Sequence, residues 1–192
     1  MKEIVFVTHN KGKAKSAEKY FKGLKISTYE YELSEPRSDS IKEIATAKVK
    51  EAYQVVKKPC IALDSGFFIE ELNGFPKAFV NFTLDTIGID GILELMKNKS
   101  NKKCQFKECL AYYDGETIKY FYGESKGSLS SEKQGLDHQE KWSDLWYIFI
   151  PNGLTKTLAQ MTPEERENRK KIDKSSSAIE EFAKWYQKKL NN

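Results

Sequence analysis

The chain has 192 residues, 39% apolar with the aromatics included and 31% charged, and its 32 basic and 28 acidic side chains leave a net charge of +4. That content excludes a disordered tail or a collagen-like chain, allows one sizeable hydrophobic core, and gives little reason to expect a nucleic-acid partner. The apolar run nearest the N-terminus, Ile4 to Val7, is far short of the roughly 18 residues a membrane span requires, and no leader with a small-residue cleavage site is read. Cys60, Cys104 and Cys109 are odd in number and lack CxxC spacing. A disulfide scaffold or zinc knuckle is therefore not expected, and a reducing cytoplasm is.

Ile4 to Thr8 is a β-branched and aromatic run that reads as a buried strand. It enters His9-Asn10-Lys11-Gly12-Lys13 and then a helical pattern with Ala14, Ala17, Phe21 and Leu24 on one face. A strand feeding a helix through a polar, glycine-containing turn presents free N–H groups and the positive end of the helix dipole, a geometry that suits phosphate. It is not a P-loop, because GxxxxGK[ST] is absent. A second helix is expected over Ile41 to Val56, with Ser40 and Glu43 at capping-box spacing. Pro59 follows, and Cys60 to Leu63 reads as a buried strand that finishes at Asp64-Ser65-Gly66. A carboxylate at the carboxyl end of a strand lies where open α/β sheets place their ligands.

Phe67 to Leu72 leads to a turn at Asn73-Gly74-Phe75-Pro76, and Asp90 to Met96 reads as a short helix. Phe106 to Tyr113 and Thr117 to Tyr122, joined by Asp114-Gly115-Glu116, form a hairpin pattern. Gly123 to Trp142 is polar and reads as a loop, with His138 solvent-exposed, and Leu145 to Ile150 returns as a strand. Pro163 opens a helix at its first position, and Ile179, Phe182, Tyr186 and Leu190 stripe a last one. No repeat or linker interrupts the chain, so residues 1–192 read as a single mixed α/β domain.

Four blocks resemble one family, the inosine triphosphate pyrophosphatases that act on non-standard purine nucleotides. Thr8-His9-Asn10-Lys11-Gly12-Lys13 is similar to the family's TGNxxK, and Glu43-Ile44-Ala45-Thr46-Ala47-Lys48 to its ENAxxKA helix. Asp64-Ser65-Gly66 through Leu72-Asn73-Gly74-Phe75-Pro76 resembles D[ST]GL…LxGxPG, and Gly123 to Gly127 resembles its GxxxG. The resemblance implies an elongated, curved mixed sheet flanked by helices, with two lobes around a nucleotide cleft. It also implies Mg2+-dependent hydrolysis of a nucleoside triphosphate to monophosphate and pyrophosphate, which clears unwanted nucleotides from the pool, and a homodimer.

Carried over position by position, the resemblance makes Asp64 a metal ligand or the group that orients the attacking water. Glu43 becomes a second metal ligand, with an ordinary capping box as the alternative reading of that residue. Lys13 joins Asp64 in catalysis, and Lys13 and Lys48 neutralise phosphates. Thr8, Asn10 and Ser65 donate to the phosphates, Asn10 having plain helix capping as its alternative. Phe149 and Lys174 fall in the two blocks that grip the base, and both blocks depart from the family. FGYDPIF is replaced by Ser143 to Phe149, and SHR by Asp173-Lys174-Ser175. The phosphate half is thus the better match, which leaves two alternatives: a pyrophosphatase with shifted base choice, or a nucleotide-binding protein without turnover.

Overall fold

The structure, a computed structural model, describes residues 3–138 and 141–191. In chain order the elements are β1 (Ile4–Val7), α1 (Lys11–Phe21), β2 (Ile26–Tyr29), α2 (Ile41–Val56), β3 (Cys60–Ile69), β4 (Pro76–Lys77), α3 (Val80–Thr86), α4 (Gly88–Leu95), β5 (Lys103–Tyr113), β6 (Ile118–Leu129), β7 (Phe149–Pro151), α5 (Pro163–Asn168), α6 (Lys170–Asp173) and α7 (Ala178–Asn191). Hydrogen-bonded neighbours run β2-β1-β3-β5-β6-β7, with β4 against β3. β1 is parallel to β2 and β3, whereas β4 is antiparallel to β3 and β7 to β6, so the sheet is open and mixed. Helices flank its strands, as the sequence leads one to expect.

Two compact units divide these elements. The first is Met1–Ser65, Glu108–Gly123 and Ser177–Asn192, and the second is Gly66–Lys107 and Glu124–Ser176. In the first, strand alternation sends neighbouring residues into two different cores. Ile4 and Phe6, Ile61 and Leu63, and Leu110 and Tyr112 pack with Ala17, Phe21, Ile179 and Phe182 of α1 and α7. Val5 and Val7, Cys60 and Ala62, and Cys109 and Ala111 pack with Ala45, Val49 and Ala52 of α2. Burial on both faces is what a parallel arrangement with helices above and below demands, and it explains why β1 has no polar residue. The second unit has a core of its own, built on Phe67, Ile92, Met96, Phe106 and Phe149. Ring centroids there lie 4.6 Å apart for Phe67 and Phe106 and 4.8 Å apart for Phe106 and Phe149.

Several elements differ from the sequence expectation. β3 does not stop at Asp64 but continues to Ile69, because Asp64 finds a buried cation and Gly66 admits a neighbouring backbone. A Cβ on Gly66 would lie 2.6 Å from the Lys77 carbonyl oxygen. β6 runs to Leu129, through residues that read as loop, and the polar alternation there is a strand's. Gly127 is needed in it, since a Cβ would meet the Ile150 carbonyl of β7 at 2.2 Å. Residues Asp144–Tyr147 form a 3-10 turn, and only Phe149–Pro151 is strand. β2, a short and partly polar ISTY, was not anticipated.

Candidate active site

The first unit brings together most of the phosphate-side residues. β1 ends at Val7 and α1 begins at Lys11, with Asn10 as N-cap. The Asn10 carboxamide oxygen accepts from the Lys13 N–H at 2.9 Å, and Thr8 Oγ1 accepts from the Asn10 N–H at 3.2 Å. Asn10 therefore does cap the helix. The first turn of α1 holds no acidic residue, so beyond the Asn10 cap its positive end is free to favour an anion. Gly12 is buried and His9 exposed.

Strand parity sets Asp64 on the α2 side, in line with Cys60 and Ala62. Helix parity does the same for Lys48, which lies on the buried stripe of α2 with Ala45, Val49 and Ala52. Lys48 is 7% exposed and Asp64 5%. Lys48 Nζ donates to Asp64 Oδ1 at 3.4 Å and to Glu35 Oε1 at 2.7 Å. Asp64 Oδ2 is buried and has no hydrogen-bond partner, which is rare for a buried carboxylate oxygen and points to an absent cation or donor. Burial pushes the Asp64 carboxyl above the usual aspartate range, against the pull of Lys48 and Lys13. For Lys13 burial lowers the ammonium pKa, opposed chiefly by Asp64. Ser65, the next residue of β3, is half-buried.

Glu35 is a residue that sequence reading missed. It lies in residues 30–40, which form neither helix nor strand, and no periodicity marks it. Glu43 is exposed; its carboxylate accepts from the Ser38 hydroxyl at 2.7 Å, and its N–H donates to Ser40 Oγ at 3.3 Å. The carboxylates joined through Lys48 are thus Glu35 and Asp64. Two carboxylates, one with the unsatisfied oxygen Asp64 Oδ2, have the chemistry of ligands for a hard cation. Among the described residues no group of three His, Cys, Asp or Glu side chains suits a metal. A divalent cation held at this pair would take its remaining ligands from phosphate oxygens and water.

The second unit carries the residues expected at the base. Phe149 has no exposed surface and its ring is part of that unit's core. Lys174 is exposed and sits in a left-handed conformation, φ 54°, closing α6. Beside it Asp173, fully buried at its side chain, pairs with Arg169. Arg169 Nη1 also donates to Ser125 Oγ at 3.1 Å and Ser175 Oγ at 3.0 Å. Sequence reading did not single out Arg169, although its spacing of four from Asp173 is a helical pairing signal. Trp146 and Tyr147 are buried. His138 is half-buried rather than exposed, with Nε2 2.9 Å from the Ala159 carbonyl oxygen.

A model of the Ham1 family matches residues 4–185. The dITP/XTP pyrophosphatase of Thermococcus kodakarensis is 36% identical over 189 residues, 97% of this chain and 98% of the relative. That of Methanopyrus kandleri is 34% identical over 187 residues, 96% of each. Among solved structures, the Staphylococcus aureus Ham1 protein superposes with a TM-score of 0.78 at 24% identity, covering 98% of this chain and all of that one. A HAM1 protein from Coxiella burnetii gives 0.82 at 21% identity, over 98% of this chain and 100% of that one.

Proposed function

Because the chain belongs to the Ham1 family, we propose that residues 1–192 act as one pyrophosphatase domain, hydrolysing dITP, XTP and related purine nucleoside triphosphates to monophosphate and pyrophosphate. The observation that carries the reading is Lys48 buried between Glu35 and Asp64, with Asp64 Oδ2 unsatisfied. In hydrolysis at the α-phosphorus, water forms the new P–O bond, the bond to the bridging oxygen breaks, and pyrophosphate leaves. Asp64 orients the attacking water, whose proton passes to solvent. Lys48 and Lys13 offset phosphate charge, and Thr8, Asn10 and the first N–H groups of α1 orient the chain of phosphates. Mg2+ held by Glu35 and Asp64 would neutralise the charge that develops on the phosphate oxygens. In this assignment Glu43 organises residues 38–40 and leaves the cation to Glu35.

The base is the second question. Asp173-Lys174-Ser175 stands where the family resemblance expects SHR, with Asp173 paired to Arg169 and Ser175 accepting from it; this favours a base preference of the chain's own within the same chemistry, with Lys174 there to donate to a base carbonyl. Pyrophosphate release with magnesium, measured over ITP, dITP, XTP and the standard triphosphates, tests both points. Turnover of dITP and XTP above the standard set is expected. Asp64→Asn is expected to lose activity about 100-fold or more, and full activity in that variant would overturn the mechanism. No turnover of any nucleotide by the folded protein would leave a binding protein.

Three buried, unpaired cysteines fit a reducing compartment, and we place the protein in the cytoplasm. Among the described residues no helix is long and apolar enough to cross a membrane. Phe75, Phe79, Phe82 and Ile87 are exposed along one stretch of the second unit, Phe82 to 69%. Large apolar groups in that density suit a protein contact, and we assign it to a homodimer. Sedimentation of the wild type and of Phe82→Lys should give dimer and monomer respectively, and a wild-type monomer would refute the assignment.

A further inference from the structure

Residues 30–40 reach the site without help from helix or strand. What fixes them is α2. Leu33 is 4% exposed and packs with Ala45, Val49 and Ala52. One residue on, the Ser34 N–H donates to Glu51 Oε2 at 2.9 Å and its hydroxyl to Glu51 Oε1 at 3.3 Å. Next comes Glu35, which accepts from Lys48. Lys48 and Glu51 are three apart on α2 and so share a face. Further along, Glu43 accepts from Ser38. Both carboxylate oxygens of Glu51 are thus spent on the residue that immediately precedes Glu35.

We infer that Glu51 is a positioning residue: by gripping Ser34 at backbone and side chain it holds the Glu35 carboxylate where a divalent cation can use it. The inference rests on the reading that Glu35 and Asp64 hold that cation. Glu51 itself touches neither Lys48 nor Asp64 in any hydrogen bond described above. α2 stays anchored without it, since Ala45, Val49 and Ala52 are fully buried. Loss of Glu51 therefore acts on the ordering of residues 33–35 rather than on the helix. A segment that occupies the competent position only part of the time weakens apparent affinity by that fraction and leaves the loaded enzyme unchanged.

The test compares Glu51→Ala, Glu51→Gln and Glu35→Gln. Binding of Mn2+ is followed by its electron paramagnetic resonance signal in the presence of a triphosphate with a non-hydrolysable α,β-methylene bridge. Magnesium dependence of turnover is measured alongside. Glu51→Ala should weaken Mn2+ and raise the magnesium requirement by about 3- to 10-fold, with kcat at saturating magnesium within about twofold of wild type. Glutamine keeps an oxygen that accepts the Ser34 N–H, so Glu51→Gln should recover most of the loss. Faster hydrogen exchange at the Ser34 amide in Glu51→Ala, and not in Glu51→Gln, should accompany it. Unchanged Mn2+ affinity in Glu51→Ala, with Glu35→Gln weakened, overturns the inference alone. Unchanged affinity in Glu35→Gln overturns the cation assignment and the inference with it. Should the alanine variant fail to fold, Glu51→Leu, closer in volume and without an acceptor, supplies the same reading.

Discussion

Replacing Lys48 with methionine keeps most of the apolar stem and removes the charge that joins Glu35 to Asp64. The two carboxylates then differ sharply. Glu35, with its side chain 44% exposed, is hydrated and screened and contributes little. Asp64 is buried and already has one oxygen unsatisfied, so it keeps only Lys13 as an opposing charge. Removing one partner of a buried pair costs about 3–5 kcal/mol, and the lower figure, about 3 kcal/mol, applies because Lys13 remains. For a chain of this size that is a fall in Tm of about 6–12 °C. The Asp64 pKa, raised by burial, climbs further once Lys48 is gone. Between the unfolded carboxyl value, about 3.9, and that raised native value, the folded state binds more protons than the unfolded one, so stability falls as pH rises. Urea unfolding of wild type and Lys48→Met, followed by tryptophan fluorescence at pH 5 and pH 8, should show the larger penalty at pH 8. A penalty below about 1 kcal/mol at pH 8, or one equal at both pH values, would show that Asp64 is not held charged by Lys48.

Phe149 is expected to serve the core: Phe149→Ala should destabilise by about 3–5 kcal/mol, whereas a stable variant with a raised KM would return it to the base. Gly66→Ala brings a Cβ to 2.6 Å from the Lys77 carbonyl oxygen; separating the pair of β3 and β4 there should cost about 1–3 kcal/mol, and an unchanged melting curve would deny the close approach. Gly127→Ala, whose Cβ would meet the Ile150 carbonyl oxygen, should lower Tm likewise, and an unchanged Tm would deny that close approach.

Much of the first unit was readable in the chain because its signals are local. The run Ile4 to Val7, the cap at Asn10, and α2 from Ile41 to Val56 each follow from periodicity or capping. Asp64 and Lys48 were legible as chemistry, and Lys48 left a further trace, a cation on an otherwise apolar helical stripe. Glu35 was not, since it reaches the site through a segment of no period, tied down by Glu51 sixteen residues on, and only tertiary pairing reveals it. In the second unit, polar residues of β6 alternate around a glycine that exists to let β7 approach, so composition read as loop where the backbone is strand. Phe149 sits in a block of rings whose identity says aromatic but not whether the face is open.

The cysteines give the molecule built-in clocks. Burial pushes the Cys60 thiol up to about 12 and Cys109 to about 11, and raises Cys104 too, so alkylation by iodoacetamide must wait for the surrounding structure to open. Cys60 and Cys109 belong to the first unit and Cys104 to the second. Mass-resolved labelling of the three thiols in native buffer therefore times the opening of each unit independently, with no engineered probe. With nucleotide added, retarded labelling of Cys60 and Cys109 would report how far a ligand at Asp64 tightens the layers beneath it.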